Sequence, residues 1–160
     1  MGLPGQRQED LWNIAAERAC ERLLYEYCRR VDFGEAARIA DLFTADGVWS
    51  GVELTLTGRE EIRAWFERRQ ALERRVARHV CTNVMVTLDG RDRAHCLSYL
   101  VNYRHDRRDG DPAGFPPSEV PKFVGECRDE LRRTPEGWRF ARRHVDVAFA
   151  RARREVADGM

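Results

Sequence analysis

The chain has 160 residues, with 28 basic side chains against 27 acidic ones and a formal net charge of +1. That length suits one domain around one core, and the even balance argues against a nucleic-acid or acidic membrane-surface partner. The basic residues are almost all arginine, Lys122 being the only lysine, which fits a coding bias better than a phosphate-binding patch.

From Glu9 to Arg30 the residues Leu11, Ile14, Ala15, Ala19, Leu23, Leu24, Tyr27 and Cys28, followed by Val31, recur at three- and four-residue steps. This predicts a long amphipathic helix. Asp32-Phe33-Gly34 breaks the pattern, and EAARIADLF (35 to 43) predicts a second helix of two turns, ended by Thr44-Ala45-Asp46-Gly47. GVWSG and ELTLT, between 47 and 57, read as a small hairpin or two short edge strands. REEIRAWFERRQALERR predicts a further helix with Ile62, Trp65, Phe66 and Leu72 on one face, and Glu60 and Glu61 suit its N-terminal turn.

The period then changes to two. ARHVCTNVMVTLDG, RAHCLSYLVNYRH, VPKFVGECRDELRRT and GWRFARRHVDVAFAR predict four long strands with hairpin-like joins. The polar, proline-rich loop 106–119 between the second and third is expected to be mobile and able to flap over a pocket. Helices first and strands after predict an α+β domain, helices packed on one face of a curved antiparallel sheet. It is read as one domain over residues 1–160, its core at about 10–150 and its ends flexible.

Five cysteines, Cys20, Cys28, Cys81, Cys96 and Cys127, show neither CxxC nor other zinc-type spacing. Reduced thiols and a cytoplasmic location are expected. No window approaches the ~20 apolar residues of a membrane helix. MGLPGQRQEDLW lacks signal-peptide character, and Gln6 stands where a myristoylation signal needs Ser or Thr.

In the first long strand His79, Cys81, Asn83 and Met85 share one face, and Val80, Thr82, Val84, Val86 and Leu88 the other. In the second, Leu97, Tyr99, Val101 and Tyr103 oppose Cys96, Ser98, Leu100 and Asn102. Neither strand alternates apolar with plainly polar residues, so both faces are expected to be covered. The helices would cover the inner one. The outer one, with Val80, Val84, Val86 and Leu100, is expected to be a subunit interface, most simply of a two-fold dimer. The short, charged tail RARREVADGM is a weaker candidate for that cover.

The inward face is read as His79, Asn83, Tyr99, Tyr103, Phe123 and Cys127, with more hydrogen-bonding groups than a pure core needs. An aromatic-lined cone with a few converging polar groups is the ordinary form of a small-molecule site. Asp32 follows Leu24, Tyr27, Cys28 and Val31 at helical spacing, so its carboxylate is placed to hold the His79 imidazole in one tautomer, as for a general base. Alone, Asp32 suits a helix corner and a strand histidine is more often structural. The pairing gives the two their catalytic reading. Met85, Leu97, Val101, Trp138 and Phe140 read as packing, Cys127 as a small lining group, and His95 and His105 as solvated. The sequence contains no phosphate loop, GxSxG, HExxH or carboxylate-rich metal run, so neither cofactor nor metal is expected.

YCRRVDFGEAARIADLFTADGVW (27–49), TGREEIRAWF (57–66), RHVCTNVMV (78–86) and EGWRFARRHV (136–145), in that order over residues 10 to 150, resemble the SnoaL-like branch of the nuclear transport factor 2-like superfamily. The resemblance implies a cone-shaped α+β barrel, helices against a strongly bent mixed sheet, dimeric or trimeric through that sheet. The superfamily includes polyketide cyclases, scytalone dehydratase, ketosteroid isomerase, epoxide hydrolases and non-enzymatic binding or accessory proteins, so fold does not settle function. By resemblance to scytalone dehydratase, Asp32 and His79 take the places of its catalytic aspartate and histidine. Trp49 and Val31 stand where it has tyrosines, Tyr99 near its second pocket histidine and Cys127 near its pocket asparagine. The polyketide cyclases carry an acid on a later strand, where Asp129 is the nearest residue.

The expected function is a cofactor-independent lyase, cyclase or isomerase acting on a small, largely apolar cyclic or polyketide-like molecule. His79 would be its base, oriented by Asp32, with Asn83, Tyr99 and Tyr27 as hydrogen-bonding groups. Trp49, Trp65, Tyr103, Phe123, Cys127 and Asp129 would line the pocket. A non-catalytic binding or accessory protein instead predicts His79 and Asp32 apart or sealed in the core. Epoxide hydrolysis ranks last, because no inward Asp-Arg pair is recognised to accompany Asp32.

Overall fold

Helix α1 (Pro4–Asp32) buries Ala16, Cys20, Leu23, Leu24, Tyr27 and Cys28, the stripe that three- and four-residue spacing produces. The computed structural model describes residues 4–72, 74–111, 113–118 and 120–152. Among them no helix is long and apolar enough to cross a membrane. Expectations about the ends and the tail thus rest partly on 1–3 and 153–160, outside the described residues, as do 112 and 119 of the proline-rich loop.

The α1 C-terminus is closed by Gly34 at φ +79°, with the Glu35 N–H donating to the Arg30 carbonyl at 3.0 Å. Such a six-to-one bond around a left-handed glycine ends the helix sharply. The predicted two-turn helix after it is a 3₁₀ helix, Ala36–Leu42, and Phe43 already belongs to a strand. Of its four buried residues, Ala36, Ile39, Ala40 and Leu42, three follow at three-residue spacing, the period of a 3₁₀ turn.

Strands β1 (Phe43–Gly51) and β2 (Leu54–Thr57) form a hairpin, followed by α2 (Arg59–Gln70), which buries Ile62 and Phe66. Four long strands complete the sheet: β3 (Arg75–Asp89), β4 (Arg93–Asp106), β5 (Phe123–Thr134) and β6 (Gly137–Ala150). The strand order is β2-β1-β6-β5-β4-β3. Only β1 and β6 pair in parallel, so the sheet is mixed. It does not close, and β2 and β3 are its edges. The helices pack on its inner face, where Tyr27, Phe66, Phe43 and Phe140 meet with ring centroids 5.1 to 6.0 Å apart. Trp138 and Phe140 are core, as their alternation predicts.

Besides the register shift between Phe43 and Val48 on β1, three bulges on the long strands shift which side chains face inward. One extra residue on β3 lies between the pairs Thr82↔Tyr99 and Met85↔Leu97. Asn83 there has φ +52°, a conformation that asparagine tolerates better than most residues. The others place Ala141 and Ala148 as extra residues on β6, opposite Glu130/Leu131 and Val124/Gly125. The inner face therefore carries His79 and Cys81 before the β3 bulge, then Val84, Val86 and Leu88 after it.

Candidate active site

The corner after α1 sets Asp32 against β3. Its Oδ2 accepts the His79 backbone N–H at 2.7 Å, and its Oδ1 lies 2.6 Å from His79 Nδ1. A carboxylate only accepts, so Nδ1 carries the proton and Nε2 is left as the acceptor. That lone pair meets the side-chain amide of Asn102, directly opposite on β4. The amide nitrogen donates to it, leaving Asn102 Oδ1 buried with no hydrogen-bond partner. Asp32, His79 and Asn102 thus form a directed relay across α1, β3 and β4, with Phe123 beside Asn102 on β5.

The relay is largely covered, the His79 and Asp32 side chains being 7% and 5% exposed. A cleft of about 140 Å³ reaches Asp32, and Arg69, Arg75, Val31, Leu72 and Ala77 are also on its wall. His79 is not on that wall. Loop residues Pro116, Pro117 and Ser118 border a separate cleft of about 250 Å³ with Arg78, Tyr103 and His105.

Several expected site residues lie elsewhere. Asn83 is exposed at the bulge and accepts a hydrogen bond from Thr82 Oγ1 at 3.0 Å, so it cannot serve the pocket. Tyr99 and Tyr103 are opposite Thr82 and Arg78 on the outer face. Met85 and Leu97 also face outward, 66% and 37% exposed, and are not core. Conversely Val84, Val86 and Leu100 pack into the core, and of the expected interface residues only Val80 is on the outer face. The physical reason is helix packing: α1 lies against the side of β4 with Ala94, Cys96 and Ser98, while the bulky side chains of that strand point away. His105 is not simply solvated, since its Nε2 is 2.7 Å from Asp111 Oδ2.

Tyr27, Trp49 and Trp65 gather on the other flank of α1. Trp49 Nε1 donates to the Tyr27 hydroxyl at 2.9 Å and stacks on Trp65 at 5.5 Å. Burial pushes the Tyr27 phenol well above its usual value.

Cys127 and Asp129 do face inward, but in the middle of β5. Asp129 is six residues from Phe123, about 20 Å along an extended strand. It lies 3.3 Å from Arg143, both side chains fully buried. An inward Asp-Arg pair therefore exists, but it does not accompany Asp32. Arg143 lies over the Tyr27 and Phe140 rings at 4.2 and 4.9 Å and donates to Cys127 Sγ at 3.2 Å. Closer to the relay, a hydrogen bond from Cys28 holds the Cys81 thiol down to about 6, against the opposing effect of burial.

Burial raises the Asp129 carboxyl to about 7, against the pull of Arg143. Its folded-state value lies above the ordinary 3.8, so ionisation opposes folding. The associated stability is complete below about pH 4 and is lost as the pH rises to about 7. Asp129→Asn should therefore gain on the wild type in urea-unfolding free energy across that window. A constant difference between the two proteins would contradict the raised ionisation.

Asn102 and Arg69 are the residues around the candidate site that sequence reasoning missed, whereas alternation along the strand already places Cys81 on the His79 face. The available signal for Asn102 was its place on the Cys96, Ser98, Leu100 face; for Arg69 it was helical register with Trp65, one turn earlier.

The sequence family described as a SnoaL-like domain matches residues 12–144. No curated protein matches the chain. Among solved structures, an NTF2-like protein with a cystatin-like fold from Novosphingobium aromaticivorans is 26% identical, with a TM-score of 0.77 over 95% of this chain and 94% of that one. A provisionally named scytalone dehydratase from the same organism is 19% identical, with a TM-score of 0.72 over 93% and 98% of the two chains. ActVI-ORFA from Streptomyces coelicolor is 18% identical, with a TM-score of 0.68 over 82% and 96%.

Proposed function

The chain belongs to the SnoaL-like domain family, and from that premise we propose that it is a cofactor-independent lyase, cyclase or isomerase for a small cyclic molecule. The observation that carries this reading is the relay from Asp32 through His79 to Asn102. Asp32 fixes the imidazole with its Nε2 lone pair turned away from the carboxylate. Asn102 keeps that lone pair satisfied, and a substrate proton takes its place there; hydrogen bonds at a catalytic base commonly rearrange when substrate arrives. The buried, unpartnered Oδ1 of Asn102 then suits a substrate hydroxyl, which would hold the reacting carbon near the base. The fold-level likeness to a provisionally named scytalone dehydratase supports proton-transfer chemistry by analogy alone.

The test is proton exchange. Cyclic β-hydroxyketones and 1,3-diketones are incubated with the protein in D₂O, and loss of the carbon-bound proton beside the carbonyl is followed by NMR. Wild-type protein should accelerate exchange or water elimination in at least one compound, and His79→Ala should not. No acceleration anywhere in the panel would favour a non-catalytic binding protein, a reading that the low exposure of both side chains also supports.

A second copy of the chain is proposed to cover the outer sheet face, where Val80, Leu97, Tyr99 and Tyr103 are 37 to 46% exposed. Light scattering should give twice the chain mass for the wild type and a smaller mass for Tyr99→Glu/Tyr103→Glu. A wild-type mass of one chain removes the interface.

A further inference from the structure

Arg69 is turned into the protein on the last turn of α2, while its neighbour Arg68 stays exposed. Both arginines suit the negative end of a helix dipole, but that role needs no burial. Removing a guanidinium from water is costly unless an anion accompanies it. Among the described residues Arg69 makes no ion pair and no side-chain hydrogen bond; its closest charged influences are Arg75, Arg104 and Asp32.

The two carboxylates nearby are already engaged. Asp32 accepts both N–H groups of His79. Asp106 accepts from Arg75 at 2.7 Å and also from Arg104. Lys122 lies in the same field, with Arg104, Arg75 and Arg69 opposing its charge. Among the described residues, Arg69, Arg75, Arg104 and Lys122 therefore have Asp32 and Asp106 as their acidic neighbours, a surplus of two positive charges within that group. That surplus adjoins the cleft whose wall holds Asp32, Arg69, Arg75, Val31, Leu72 and Ala77.

We propose that Arg69 is a substrate-binding residue that takes a carboxylate, so that the ligand is a small cyclic carboxylic acid with its ring on Val31 and Leu72. A planar guanidinium offers paired donors that match the two oxygens of a carboxylate. Anchored there, the ring lies beside Asp32. This inference rests on the proposed function for the site and names the class of its substrate, but its test requires no turnover.

Benzoate and cyclohexanecarboxylate are titrated against their neutral partners, benzamide and cyclohexanecarboxamide, by calorimetry and ligand-observed NMR at low and high salt. The wild type should bind each acid about 10-fold tighter than its amide, the scale of one charge-assisted hydrogen bond, and the preference should shrink with salt. Arg69→Gln should abolish the preference, and Arg69→Lys should keep part of it. Equal affinity for acid and amide, absence of acid binding up to the solubility limit, or a preference that survives in folded Arg69→Gln overturns the proposal. Should Arg69→Gln not fold, the wild-type acid-to-amide ratio and Arg69→Lys decide. Loss of proton exchange with intact discrimination counts against the relay alone, and the reverse result counts against the carboxylate alone.

Discussion

Asp32→Asn is expected to cut the turnover of an identified substrate ~10² to 10⁴-fold, and His79→Ala at least as much, the usual contribution of a positioned base. The asparagine variant is the more informative. An amide at position 32 presents either its oxygen or its NH₂ to Nδ1, while the carboxylate now accepts from Nδ1 and from the His79 backbone N–H at once. If the amide oxygen keeps the backbone bond, its NH₂ faces Nδ1 and drives the ring proton to Nε2. There it meets the donating amide of Asn102, and the base has lost its lone pair. Both variants should stay folded, since a lost buried hydrogen-bond partner costs about 1–3 kcal/mol, and the buried carboxylate that His79→Ala leaves unpaired about 3–5 kcal/mol, against a typical total of about 5–15 kcal/mol. Steady-state kinetics with circular dichroism separates the two effects. A folded Asp32→Asn protein with the wild-type rate ends the case for the relay.

The largest stability loss is expected at Gly125, near the start of β5. A Cβ built there would sit 2.2 Å from the Asp146 carbonyl oxygen and 3.5 Å from the Val147 Cα, both on the β6 backbone. Neither can rotate aside as a side-chain tip could. The approach is close because β6 bulges here, Val124 pairing with Phe149 and Gly125 with Val147. Gly125→Ala must push β6 outward or break the ladder. Overpacking ordinarily costs about 1–3 kcal/mol, and a backbone-to-backbone collision belongs at the upper end or beyond. A urea midpoint unchanged from wild type would show that the strand relaxes freely, contrary to this geometry.

The elements themselves were legible because each segment carries one clear period: helical through Cys28, alternating from Arg78 onward. Asp32 and His79 were legible too, since helical register put Asp32 at a buried edge and the resemblance named a partner. What failed was the choice of face. Both sides of β4 are apolar, so alternation separates Tyr99 and Tyr103 from Ser98 and Asn102 without saying which set meets the helices. The larger set looked like the core, yet close helix packing favoured the smaller one. On β3 the failure was local: Asn83 occupies a bulge, and one inserted residue reverses every side chain beyond it. Arg69 was hidden for another reason. The meaning of a cation depends on which carboxylates around it are already taken, and only the folded chain shows that Asp32 and Asp106 are.

β3 is an edge strand, and the N–H of His79 lies along that open margin. Unmet amides on such a margin invite another polypeptide to add itself as a further strand, the first step of aggregation. Here the amide is capped by Asp32 at 2.7 Å, so the carboxylate that aims the imidazole also keeps the sheet from growing. The acid at position 32 thus has a structural reason to be retained whether or not the proposed chemistry takes place.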